Sequence, residues 1–210
     1  DGKVLFQGQE VAFVIAEDRY INADAIELVE VEYDELPVLI DANAAMAPDA
    51  PVLREDLAGQ TSGAHGARKH HNHIFLWEVG DEAATDEVIA NADVVAEETV
   101  YYHRTHPCPL ETCGCVASMD KVNGKLTLYG TFQAPHVVRT VASLLSGIEE
   151  HNIRVVSPDI GGGFGNKVGV YPGYVCSIVA SIVTGRPVKW VEDRMDNLMA
   201  TAFARDYWMK

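Results

Sequence analysis

Five consecutive positions, Gly161 to Gly165, hold four glycines and one phenylalanine inside the stretch SPDIGGGFGNKVG. Glycine tolerates positive φ and lets another group approach the main chain closely. A tight turn at a helix start uses one or two glycines. Four of them around an aromatic ring point to a loop that touches a ligand. The spacing rules out two common phosphate loops. Asn166 stands where the second glycine of a Walker A loop belongs, and Val168 follows Lys167 where Ser or Thr is needed. The same Asn166 replaces the last glycine of a G-x-G-x-x-G fingerprint.

Other residues carry weaker signals. Gln133, in TFQAPH, has an amide that can donate through NH₂ and accept through its oxygen. It reads either as a turn or capping residue or as a ligand contact. RKHHNH offers His70, His71 and His73, but neighbours in an extended segment point opposite ways, so at most His71 and His73 share a face. Packing or interface histidines are expected there. Cys113 and Cys115 share one strand face with Gly114 between them, half of a structural zinc site at most. Cys108 and Cys176 complete the four cysteines, and no paired Cys-x-x-Cys pattern results. Reduced, core-filling thiols are expected. After WV, Glu192, Asp193 and Arg194 could supply a catalytic carboxylate, but a local ion pair that holds a loop is the expected role.

The elements that must position these groups can be read from periodicity. EVAFVIA (10–16) reads as a buried strand and NADAIELV as a helix capped by Asn22. VEVEYDEL alternates like a half-buried strand. Residues 41–73 have weak periodicity and read as a long connection. IFLWEV reads as a strand, TDEVIANA as a helix capped by Thr85, and DVVAEETVYYHR as a long strand. TCGCVASMD and KLTLYGTF flank KVNG, whose Asn123-Gly124 is a hairpin signal. A helix then runs to Gly147, a natural C-cap. Strand NIRVVS, the glycine loop, a helix over 172–184 and strand PVKWVE follow. The order is β-α-β-loop-α-β, so TFQAPH and the glycine loop both fall at strand-to-helix junctions, where α/β folds place ligands.

The chain has 210 residues and a net charge of −15, which argues against binding a phosphate backbone. Its longest apolar run, Val175 to Val183, is shorter than the about 20 residues a membrane helix needs. It opens on Asp1 and closes on FARDYWMK, so a piece of a longer chain is expected.

TFQAPH, PDIGGGFGNKVG, GRPVKWVEDR and FARDY together resemble the molybdenum hydroxylase family of xanthine dehydrogenases and aldehyde oxidases. QEVAFVIAEDRYINADAIELVEVEYDELPVL, GAHGARKHHNHIF and HPCPLETCGCVASMDK are similar to its aerobic, molybdenum–copper carbon monoxide dehydrogenase large subunits. The likeness covers essentially the whole chain. It implies an α+β / α/β fold: the end of a small hammerhead-type α/β domain (1–42), a linker (43–75), and the first part of a molybdopterin-binding domain (76–210). It implies that Gln133 matches the glutamine hydrogen-bonded to an oxygen on molybdenum. Gly162, Gly163, Phe164 and Gly165 match the loop that lies against the cofactor, and Phe164 and Val168 face the substrate. No residue here is implied as a direct metal ligand, since the pterin dithiolene holds molybdenum. In purine-oxidising members a substrate-binding glutamate follows the lysine of the loop. Val168 stands there instead, which suits a small, weakly polar substrate such as carbon monoxide. The implied cofactors are molybdopterin cytosine dinucleotide with molybdenum, copper on a cysteine downstream of this stretch, and FAD and [2Fe-2S] clusters on partner subunits. The implied assembly is a dimer of heterotrimers, cytoplasmic, with membrane association only through partners and no nucleic acid. The alternatives are a relative acting on an aldehyde or N-heterocycle and, more remotely, a non-catalytic nucleotide-binding module.

Overall fold

The computed structural model describes residues 2–57, 62–63, 66–67 and 70–210. In chain order the elements are α1 (Arg19–Ile26), α2 (Ala42–Ala45), β1 (Ser62–Gly63), β2 (Gly66–Ala67), α3 (Glu82–Ala90) and β3 (Val100–Tyr102). Then come β4 (Gly114–Asp120), β5 (Lys125–Gly130), α4 (Pro135–Ser146), β6 (Ile153–Val156), α5 (Pro172–Thr184), β7 (Val188–Val191), α6 (Arg194–Ala200) and β8 (Tyr207–Met209). The chain divides into two compact units. One comprises residues 1–29 and 99–210, and the other Glu30–Glu98.

The larger unit is built on a four-stranded sheet in the order β6-β5-β4-β7. β4 runs antiparallel to both β5 and β7, while β5 and β6 are parallel and joined through α4. Side-chain alternation decides which face is covered. Cys115 and Ala117 of β4 and Leu126 and Leu128 of β5 are buried together with Val138 and Ala142 of α4 and Tyr174 and Ile178 of α5. Tyr174 meets Phe132 and Trp190 edge-on, with ring centroids 5.0 and 5.3 Å away. Gly173 is small for a reason: a Cβ there would fall 2.3 Å from the Trp190 ring. The apolar run Val175 to Val183 lies within the 13-residue α5, which packs on this sheet. Outside the sheet, β3 pairs antiparallel with β8.

The second half of the sequence follows its periodicity closely. Both α4 and α5 begin on prolines, Pro135 and Pro172, and end on the left-handed glycines Gly147 and Gly185. The hairpin forms where expected, across KVNG. Asp120 pairs with Lys125, leaving a four-residue loop. The Asp120 carboxylate fixes it by accepting from the Val122 and Asn123 N–H groups at 2.9 and 3.2 Å, and only Gly124 takes positive φ. Two helix caps are displaced. Asp18, not Asn22, caps α1, and Asp81, not Thr85, caps α3. Each aspartate sits just before the exposed N–H groups of the first turn, where a carboxylate also gains from the helix dipole.

The first half departs further. EVAFVIA, VEVEYDEL and IFLWEV form no strand, and only Val100–Tyr102 of DVVAEETVYYHR does so. Strand structure exists only through a partner that accepts the ladder hydrogen bonds. Apolar residues on these segments such as Val11, Phe13, Val31 and Phe75 are exposed. Of RKHHNH, residues from His70 onward are described. The His71 ring nitrogen Nε2 lies 2.9 Å from Ala50 O and its ring stacks near that of His70.

Leu128 is fully buried in this core. Leu128→Ala is expected to lower stability by about 2–5 kcal/mol through lost burial and the cavity left behind. Urea denaturation of the full-length protein measures it, and a loss under about 1 kcal/mol would contradict the packing described.

Candidate functional site

Because β5 and β6 are parallel neighbours, the segments leaving their C-terminal ends emerge side by side. Gln133 follows β5, and the glycine loop follows β6. The structure brings the two into direct contact. Gln133 Oε1 accepts the N–H groups of Gly165 and Lys167, both at 3.0 Å, and Gln133 N–H donates to Lys167 O at 3.0 Å. With its oxygen doubly engaged, the amide has one orientation. Its Nε2 has no hydrogen bond among the described residues, and the residue is exposed.

The loop bends sharply. Gly162 and Gly165 take φ of 91° and 89°, and Phe164 takes 53°. A bulky residue in the left-handed region is uncommon and costs backbone strain, a feature that gathers at functional sites. Here it holds the Phe164 ring 74% exposed. The glycines differ in what their bareness serves. The free side of Gly163 is filled by Gln133: an added Cβ would lie 2.4 Å from Gln133 Cδ. The missing side chain of Gly163 thus seats the glutamine. Gly165 has open space where its Cβ would be. Val168 closes the short turn Asn166–Val168, 44% exposed, with its N–H on Gly165 O.

Beneath the loop lies a buried polar layer that sequence reasoning did not anticipate. Lys167 is wholly inaccessible, and its Nζ is 2.7 Å from Glu111 Oε2. Burial disfavours the charge on Glu111, yet hydrogen bonds from Lys167 and the Gly161 N–H outweigh this and bring its pKa below the ordinary value. Its contribution to folding is therefore complete at neutral pH and fades only in acid, as pH falls through the lowered folded value. Asn166, the residue that broke both phosphate-loop patterns, is buried as well. Its Nδ2 donates to Thr201 Oγ1 and Ala202 O at 2.7 and 3.2 Å, tying the loop to the end of α6. The only hint in the sequence was a polar residue placed where glycine was expected.

Glu192, Asp193 and Arg194 brace their surroundings, and among the described residues they do so through hydrogen bonds and not an ion pair. Glu192 is buried and accepts from Cys113 N–H and Asn197 Nδ2 at 3.0 and 2.7 Å. Asp193 caps α6. Arg194 donates to the carbonyls of Pro109 and Leu110, both at 2.7 Å. Burial pushes the thiols of Cys113 and Cys115 up to about 12 and about 11, so both are neutral at physiological pH.

Residues 65–210 match the family of the molybdopterin cofactor-binding domain, and residues 1–37 match the aldehyde oxidase and xanthine dehydrogenase a/b hammerhead domain. The chain belongs to the molybdopterin cofactor-binding domain family. It is 73% identical over 209 residues to the carbon monoxide dehydrogenase large chain of Hydrogenophaga pseudoflava, covering 100% of this chain and 26% of that one. It is 69% identical to the large chain of the same name from Afipia carboxidovorans, again over 100% and 26%. Reconstituted CO dehydrogenase from Oligotropha carboxidovorans superposes with a TM-score of 0.91 at 69% identity, over 98% of this chain and 26% of that one. The chain thus spans about a quarter of the length of these relatives. Its residues fit the family's cofactor. An oriented NH₂ donor, an exposed aromatic residue and an open glycine occur together where the segments after β5 and β6 meet.

Gly163→Ala tests this geometry, because the backbone there is not left-handed and only space is at stake. In the full-length protein the added methyl should displace the Gln133 amide, and deuterium exchange of the peptide spanning 161–168 should rise as the Gly165 and Lys167 N–H groups lose their acceptor. Wild-type exchange in the variant would show that the amide need not sit where the structure has it.

Proposed function

We propose that this chain is a section of the catalytic large subunit of a molybdenum hydroxylase that oxidises carbon monoxide with water to carbon dioxide, releasing two protons and two electrons. The observation that carries the site reading is the Gln133 amide. Its oxygen is held by the N–H groups of Gly165 and Lys167, and its NH₂ makes no hydrogen bond among the described residues. The identity of 73% and 69% to large chains named carbon monoxide dehydrogenase supports the substrate.

In this reading the hammerhead portion spans 1–42, a linker 43–75 and the molybdopterin-binding portion 76–210. Gly162, Gly163, Phe164 and Gly165 form the wall on which molybdopterin cytosine dinucleotide rests, with Gly163 acting through Gln133. When bound, the group supplies a two-electron acceptor and the site of oxygen transfer. Gln133 donates a hydrogen bond from Nε2 into the reaction space. Phe164 covers it and limits water, and Val168 offers an apolar side. A buried polar group left unpaired costs about 1–3 kcal/mol, so a valine wall disfavours purines and leaves a diatomic unaffected. The copper sits on a cysteine outside residues 1–210. None of Cys108, Cys113, Cys115 and Cys176 matches the copper-bearing loop. A small and a medium subunit would hold [2Fe-2S] clusters and FAD, which would supply the onward acceptors for the electrons, in a cytoplasmic dimer of heterotrimers that reaches the membrane only through its partners.

Two substitutions test the reading in the full-length enzyme. Gln133→Ala should retain molybdenum, read per chain by mass spectrometry, while kcat falls by about 10²–10³, the usual cost of one preorganised donor. Full activity would return Gln133 to the role of a loop brace. Val168→Glu should impair carbon monoxide oxidation, since it sets a carboxylate in an apolar wall. A wild type that oxidises hypoxanthine and not carbon monoxide would overturn the substrate.

A further inference from the structure

Glu111 lies just before β4, far in sequence from the glycine loop, yet it grips that loop at both ends. Its Oε2 accepts from Gly161 N–H at 2.8 Å and from Lys167 Nζ at 2.7 Å, and its own N–H donates to Gly161 O at 3.1 Å. The loop also seats on its side chain, since a Cβ at Gly161 would come within 2.6 Å of Glu111 Cβ. Lys167 is fully buried, and removing this carboxylate would leave its ammonium without an opposite charge. The same Lys167 supplies, through its N–H, one of the two donors that fix Gln133 Oε1, and the bend that Glu111 closes carries the other donor, Gly165.

We propose that Glu111 is a positioning residue for the reaction: by pairing with buried Lys167 and closing the loop at Gly161, it holds the two amide donors that aim Gln133 Nε2 into the site. This rests on the reading of Gln133 as the group that faces the reacting centre. Glu111 acts through Gln133.

The test uses Glu111→Gln, Gln133→Ala and the double variant in the full-length, assembled enzyme. Deuterium exchange of the peptide spanning 161–168 needs no turnover. It should rise about tenfold in Glu111→Gln while the β5 peptide 125–130 keeps its wild-type rate, the pattern of a local opening. In the same variant kcat should fall about 10–100-fold with KM within about twofold, the sign of lost transition-state positioning. In the Gln133→Ala background, Glu111→Gln should change kcat by less than about twofold, because residues acting as one unit are not additive. Molybdenum per chain should stay within about twofold of wild type by the same criterion of a local effect. Unchanged loop exchange, independent multiplication of the two kcat effects, or a molybdenum loss equal to the loss of turnover would each overturn the positioning role. Wild-type kcat in Gln133→Ala would instead overturn the function assigned to Gln133. If Glu111→Gln does not fold, Glu111→Asp takes its place in the cycle, since it keeps the charge and withdraws the carboxylate by one methylene.

Discussion

A single amide oxygen organises the site. Gln133 Oε1 receives two backbone N–H groups from one short loop, and Gln133 N–H returns a bond to the same loop. That exchange needs a backbone bent back on itself, which Gly162, Phe164 and Gly165 provide in the left-handed region. It also needs a bare Gly163 beneath the glutamine. The strain at Phe164 and the conformational freedom lost at four glycines are offset by this network and by the layer below it.

That layer is polar and largely buried, which is an uncommon way to support a loop. Lys167, Asn166, Glu192 and Asn197 are all buried. Each is satisfied by a named partner: Lys167 by Glu111, Asn166 by Thr201, and Asn197 with Glu192. Removing one member leaves another stranded, so the layer is all or nothing. A loop resting on it is held rigidly while its upper side stays open. Rigidity below and openness above are what a site needs to bind a large cofactor without reorganising.

The sheet supplies the geometry that the polar layer refines. Parallel pairing of β5 with β6 brings two strand ends together, and α4 and α5 cover one face with Val138, Tyr174 and Ile178. In the smaller unit, Glu30–Glu98, the helix α3 is well capped by Asp81 but buries none of its residues. Capping is local and follows from a few atoms; burial requires a surface to pack on.

The sequence by itself determined the elements whose signals are local. Gly147 marked the end of one helix, Pro172 and Gly185 bounded another, and the hairpin signal in KVNG marked the strands TCGCVASMD and KLTLYGTF on either side. It also marked Gln133 and the loop as neighbours of strand ends, and the motif likeness supplied the family. It did not reveal the strands' absence at 10–16 and 29–36, because alternation records a preference for a pleated surface while a strand exists only with a partner. Tertiary structure alone decided that Gly163 makes room for Gln133, that Asn166 is a buried hub, and that Glu111 holds Lys167. These contacts join residues 30 to 56 positions apart. No local rule of propensity or period reaches that far, since such pairs are set by which strands lie side by side and not by what each residue prefers.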